Sequence, residues 1–169
     1  MTKLRVQFAH GLESSPHGNK ARLFAAHFDA ETPAMNTADF EACIRVHAET
    51  AARFQPDVLV GSSFGGAVAV ALLHRALWRG PTLLLAQASR HYCPEARLPA
   101  GVRVLLVHAR EDEIVDAADS RALAQTGTPS LVELLEVDDD HALSRLVSSG
   151  ELIELVRRTV TSAVGAPVK

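Results

Sequence analysis

Short apolar runs alternate along this chain with longer stretches in which apolar positions recur every three or four residues. Leu4–Ala9 reads as a strand, stopped by the Gly-, Ser-, Pro- and Asn-containing stretch 10–20. Ser15 with Pro16 suits a helix start, with Ala21–Phe28 as the body. An extended piece around Ala30–Met35, weakened at Pro33, is a second strand. From Asn36 or Thr37 as N-cap, Phe40, Cys43, Ile44, His47, Ala51 and Phe54 fall at helical spacing, so this helix buries one stripe and ends before Pro56. Asp57–Val60 then reads as strand and Phe64–Trp78, apolar on nearly all sides, as a central helix. Thr82–Ala88 and Val102–His108 are continuous apolar runs suited to strands buried on both faces, with Ser89–Gly101 as the loop between them. Asp116–Thr126 is a helix with Gly127 at its end, and Leu131–Val137 is the last strand. The last helix runs from Ser149 to about Ala163, with Leu152, Leu155, Val156 and Val160 inward, and Gly165–Lys169 reads as a frayed end.

Strands alternating with helices imply right-handed crossovers. The expected class is α/β: a three-layer α/β/α sandwich around a mostly parallel sheet of about six strands. A length of 169 residues suits one domain, 1–169. Hydrophobic content of 47% with 22% charged residues is ordinary for a soluble globular chain, and a net charge of −3 gives no reason to expect nucleic acid. No apolar run approaches the roughly 18 residues of a membrane helix, and the stretch near Met1 is too short for a secretory signal. The expectation is a cytoplasmic protein with no membrane partner. Cys43 reads as a core residue and Cys93 as a loop residue, in no metal or redox motif. With no metal-ligand spacing and no phosphate-cradling glycines, neither metal nor cofactor is expected.

The chemistry concentrates where strands end. In a doubly wound sheet the ligand site forms outside the carboxyl ends of the strands, and four of these ends carry reactive or loop-forming residues: His10-Gly11-Leu12, Ser63-Phe64, Asp112 and His141. Gly61-Ser62-Ser63-Phe64-Gly65 is a G-x-S-x-G sequence set between a strand and a helix. That is the context of a nucleophile elbow, whose central serine projects from a sharp turn. The same residues also serve in a tight strand-to-helix turn without chemistry. A serine hydroxyl needs a base, and the base needs a carboxylate to fix its tautomer; Ser63, His141 and Asp112 form such a set. Glu111 and Glu113 compete with Asp112 for the acid, and His141 is also readable as an exposed loop histidine after three aspartates. His27, His47 and His74 fall on helices as packing or surface residues, and His108 ends its strand as a packed residue or as one supporting the site from behind. Asp138 and Asp139 read as a solvated turn. His10 is placed to bond loop backbone, whereas His17, His91 and Tyr92 lie in loops at the rim, in reach of a substrate.

Taken together, H-G-L at His10–Leu12, G-S-S-F-G at Gly61–Gly65, D-E-I-V at Asp112–Val115 and D-H at Asp140–His141 resemble the motifs of a small α/β-hydrolase, in the order Ser, Asp, His of that superfamily. The resemblance covers the chain from Leu4 to the last helix. His10–Pro16 also resembles the H-G-F-x-S-S-P loop of compact bacterial esterases of the YqiA type. Two departures stand out: His108-Ala109 replaces the family's His-Gly or Gln-Gly, and the chain begins at what would be the third strand, without the first hairpin. The resemblance implies a carboxylesterase-type serine hydrolase acting on a small-molecule ester through Ser63, His141 and Asp112 and an acyl-enzyme. It implies an oxyanion hole from the backbone N–H groups of Leu12 and Phe64, whose side chains wall the acyl pocket. Substrate contacts would come from His10, Gly11, His17 and Tyr92. Only Ser89–Gly101 stands where related enzymes carry a lid, so an open cleft without a cap domain is expected, in a monomer or homodimer. A thioesterase or peptidase would use the same residues. A non-catalytic ligand-binding protein of this fold would have replaced a triad member, and none is replaced.

Overall fold

The computed structural model describes residues 2–161; the expected helix end at Ala163 and the tail Gly165–Lys169 lie outside the described residues. Thirteen elements follow one another as β1 (Arg5–Ala9), α1 (Asn19–His27), β2 (Asp29–Glu31), α2 (Phe40–Phe54), β3 (Val58–Ser62), α3 (Phe64–His74), β4 (Thr82–Leu85), α4 (Ser89–Tyr92), β5 (Val104–Ala109), α5 (Ala117–Ala124), β6 (Val132–Val137), α6 (Ser144–Ser149) and α7 (Glu151–Thr161). The six strands form one sheet in the order β2-β1-β3-β4-β5-β6, and every neighbouring pair is parallel.

Side chains alternate across the sheet, and both faces are covered, which explains why the central strands read as unbroken apolar runs. Leu59, Leu84, Val104 and Leu106 pack with α2, α3 and Leu123 of α5 on one face. Val58, Val60, Leu83, Leu85, Leu105 and Val107 pack with Phe24 of α1, Leu146 of α6 and Leu152, Ile153 and Val156 of α7 on the other. Helix α3 is buried on all sides from Phe64 to Leu73, as a helix wedged between a sheet and its neighbours must be.

Several boundaries differ from the sequence expectation for identifiable reasons. Helix α1 starts after Gly18, not at Ser15, because residues 14–18 first make turns in which Ser14 and Gly18 donate to Gly11 and Ser15. Asp39, not Asn36 or Thr37, caps α2, its carboxylate accepting from Ala42 N at 2.9 Å. Helix α3 stops at His74, where Ala76 takes a φ of 56° and Leu77 and Trp78 fold back onto the Leu72 carbonyl. Strand β4 stops at Leu85 because Ala86 has a φ of 46°. Gln125 ends α5 in place of Gly127. Cys93 follows the short helix α4 in the loop, as expected, but is buried against the α3 face of the sheet, and burial, aided by Glu95, pushes its thiol up to about 11. Among the described residues, no helix is long and apolar enough to cross a membrane.

Candidate active site

The chain runs from β1 outward to β2 and then returns to the other side of β1 as β3, so the strand order reverses between β1 and β3. Crevices open at the carboxyl ends of strands flanking such a reversal. Ser63 follows β3 at this point with φ 53° and ψ −113°, a left-handed conformation that costs energy for any residue with a side chain. Neighbouring backbone holds it there: Ser63 N donates to Leu85 O at 2.9 Å, and Ala88 N donates to Ser63 O at 3.1 Å. A Cβ on Gly61 would stand 2.5 Å from the Gly65 carbonyl oxygen and 2.9 Å from Ala69 Cβ, so this strand and helix meet only because Gly61 has none.

The structure brings Ser63, His141 and Asp112 together from three strand ends. His141 Nδ1 lies 2.7 Å from Asp112 Oδ2 and its Nε2 lies 3.0 Å from Ser63 Oγ. A carboxylate only accepts, so Nδ1 carries the ring proton and Nε2 is left to accept from the serine hydroxyl. Asp112 has no exposed side-chain surface, and His141 keeps 22% of its own. The other carboxylate oxygen, Oδ1, accepts from Ile114 N at 2.8 Å and Val115 N at 2.9 Å. Burial pushes this carboxyl up, but the bonds from Val115, His141 and Ile114 outweigh it and hold Asp112 below its ordinary value. Glu111 and Glu113 flank it in exposed positions. The aspartate is selected by its turn, which aims two backbone N–H groups at one side chain.

The loop bearing His141 is tied at both ends. Of the two aspartates expected in a solvated turn, Asp138 is exposed, whereas Asp139 accepts from Arg145 N and Leu146 N; with Asp140, which accepts from Ser144 N and its hydroxyl, it caps α6. Those Ser144 bonds hold the Asp140 carboxyl below its usual range. Asp138 pairs with Arg110 at 2.5 Å. Lys20 of α1 donates to Ala142 O at 2.6 Å; burial pulls this amine down, against the pull of Asp140 and Asp139. Helix α6, six residues long, also displaces the expected start of the last helix from Ser149 to Glu151.

Ser63 and His141 lie on a cleft of about 730 Å³ whose walls include Gly11, Leu12, Phe64, Tyr92 and Ile114. Gly11 sits against the serine, since a Cβ there would touch Ser62 O and Ser63 Cβ at 3.7 Å. Phe64 and Tyr92 meet edge to face at 4.9 Å, and Phe40 stacks on Tyr92 from outside the cleft lining. Two expected substrate contacts are not part of this lining. His10 is 2% exposed and donates from Nδ1 to Gly11 O at 2.8 Å, so its ring braces the loop from within. His17 is exposed, on the turn before α1 whose Ser15 hydroxyl accepts from its N–H, and stays outside the cleft. Ile114 and Lys20 line the cleft without having been singled out; Ile114, 73% exposed, sits two residues past the acid, and a large apolar side chain beside a reactive strand end is the signal that could have found it.

No family model and no curated protein matches the sequence, whereas solved structures do. An alpha/beta-superfamily protein from Xanthomonas campestris pv. campestris is similar at 26% identity over 93% of this chain and 99% of its own, with a TM-score of 0.76. A second Xanthomonas campestris protein, an a/b serine hydrolase without lid, aligns at 21% identity over 99% and 86% of the two chains with a TM-score of 0.67. The esterase domain of a Rhodothermus marinus protein aligns at 18% identity over 92% and 86%, with a TM-score of 0.65. These three share the fold of this chain.

Proposed function

We propose, from the membership of this chain in the α/β-hydrolase superfamily, that it is a serine hydrolase cleaving small carboxylic esters by acyl transfer, with Ser63 as nucleophile, His141 as base and Asp112 as acid. The observation that carries the reading is the unbroken path from Ser63 Oγ through His141 to a carboxylate with no exposed surface. The hydrolase and esterase names of the structural neighbours support the reaction class.

The residues act in sequence as follows. The ester carbonyl enters the cleft with its oxygen toward the backbone N–H groups of Phe64 and Leu12, and Ser63 Oγ attacks the carbonyl carbon as its proton passes to His141 Nε2. Each preorganised donor on the resulting oxyanion is worth about 3–4 kcal/mol of barrier. Asp112 stabilises the imidazolium that forms and holds its tautomer. Collapse breaks the bond to the alkoxy oxygen, which leaves with the proton from His141. Water, deprotonated by the same nitrogen, then attacks the acyl-Ser63 ester and releases the acid. Leu12, Phe64 and Tyr92 bound the acyl group. The segment between β4 and β5 contributes one four-residue helix, which supports a site without a closing cap.

Pre-steady-state hydrolysis of p-nitrophenyl acetate tests the reading. A burst of p-nitrophenol of about one equivalent is expected for the native chain and none for Ser63→Ala. Equal turnover by both proteins contradicts it.

A further inference from the structure

A second histidine reaches the carboxylate oxygen that serves His141. His108, fully buried near the end of β5, places Nε2 2.9 Å from Val115 O and 3.3 Å from Asp112 Oδ2. Its Nδ1 lies 2.7 Å from the hydroxyl of Ser120, a buried residue of α5. That hydroxyl is 3.1 Å from Gln87 Nε2, and Gln87, fully buried two residues past β4, accepts Ser89 N on Oε1 at 2.8 Å. The backbone of Gln87 abuts α3, where a Cβ on Gly66 would come within 2.8 Å of Gln87 Cα.

The donors can be followed along this string. An amide nitrogen only donates, so Gln87 Nε2 donates to Ser120 Oγ. The serine proton then goes to His108 Nδ1, which leaves the ring proton on Nε2, facing Val115 O and Asp112 Oδ2. Three polar side chains buried in a core are costly unless paired, and each of the three is paired here. Leu or Val would have filled the space between β4, β5 and α5 without that requirement. The string begins beside the helix that follows Ser63 and ends on the Val115 carbonyl, in the turn that holds Asp112.

We propose that Gln87, Ser120 and His108 are positioning residues: a buried hydrogen-bonded string that fixes the Asp112 carboxylate relative to α3 and thereby sets the orientation of His141. This rests on the reading of Ser63, His141 and Asp112 as the reactive centre. The backbone N–H groups of Ile114 and Val115 hold Oδ1, and His108 donates to the carbonyl of the same Val115, with its ring 3.3 Å from Oδ2. Without it the turn that presents these N–H groups is free to shift, the carboxylate moves with it, and His141 follows.

The test uses the full chain with Ser120→Ala, His108→Leu, Ser120→Ala/His108→Leu and the conservative His108→Gln, whose carboxamide keeps one donor and one acceptor. Two quantities are measured: kcat and KM for a short p-nitrophenyl ester per site titrated with a fluorophosphonate, and the low-field proton resonance of His141 Nδ1–H. Ser120→Ala and His108→Leu are expected to lower kcat about tenfold each with KM unchanged, the size of one buried hydrogen bond, and to broaden the resonance. His108→Gln is expected to retain most of kcat, and the double variant to be no worse than His108→Leu, because both changes break one string. A lower melting temperature with kcat per titrated site and the resonance both unchanged overturns the proposal, as does a native protein lacking the resonance. If His108→Leu does not fold, Ser120→Ala decides. If the native chain shows the resonance but hydrolyses no ester, the reaction assignment fails by itself, and the effect of Ser120→Ala on the resonance still judges the string.

Discussion

Gly65 at the start of α3 lies so close to the end of β1 that a Cβ on it would stand 1.9 Å from the carbonyl oxygen of Ala9 and 2.6 Å from that of His10. The contact locks the turn carrying Ser63 against the loop carrying Leu12, so the two backbone N–H groups assigned to the oxyanion share one rigid frame. Gly65→Ala is expected to destabilise the fold by about 3 kcal/mol, because backbone rather than a flexible side chain must move. Urea denaturation checks this, and a midpoint equal to that of the native chain contradicts it.

Asp112→Asn is expected to lower kcat by about 10⁴, since an amide in place of the carboxylate favours the wrong imidazole tautomer. Glu111→Gln and Glu113→Gln, at exposed positions that touch neither His141 nor Ser63, are expected to leave kcat within about twofold. Steady-state kinetics of the three variants checks the assignment, and an equal loss in either glutamate variant transfers the acid role.

His47 of α2 gives the fold a defined acid sensitivity. Its ring is buried, its Nδ1 accepts from Gln7 Nε2 at 2.9 Å, and burial, with His10 nearby, lowers its pKa from 6.5 to about 4. The unfolded chain therefore binds the proton first, and the contribution of His47, fully present above pH 6.5, is lost as pH falls toward about 4. The loss amounts to about 3 kcal/mol. Chemical denaturation between these pH values is expected to show a flatter stability curve for His47→Gln than for the native chain; parallel curves contradict the role.

The proposed acyl side of the cleft is lined by Leu12, Phe64 and Tyr92, and Tyr92 is backed by Phe40. A chain longer than these walls leaves its methylenes in water, where they forgo the roughly 0.8 kcal/mol that each buried CH₂ contributes. Across a p-nitrophenyl ester series, kcat/KM is expected to peak at short acyl chains and to show no jump when substrate forms an interface. A maximum at long chains contradicts the capless reading.

The strand ends that carry Ser63, Asp112 and His141 were legible because local signals coincide there: apolar runs fix where strands stop, and the residue types just beyond them are unusual for plain turns. The G-x-S-x-G spacing further revealed the close packing of β3 on α3, since Gly is the residue such contacts demand. What stayed hidden depends on partners distant in sequence. Asp139 looks solvated until α6, too short to show a helical period, supplies the N–H groups it caps. His10 reads as a brace of the loop backbone and also as a substrate contact, and its bond to Gly11 O bears out the first. Gln87, Ser120 and His108 sit on three different segments, and nothing local to any of them points to the other two.

The most direct test of the central claim is covalent. Treated with a fluorophosphonate, the native chain is expected to gain one label, mapped by peptide mass spectrometry to Ser63, with labelling abolished in Ser63→Ala and slowed by orders of magnitude in His141→Ala. Label on another residue, or labelling that persists in Ser63→Ala, would contradict the assignment of Ser63 as the nucleophile.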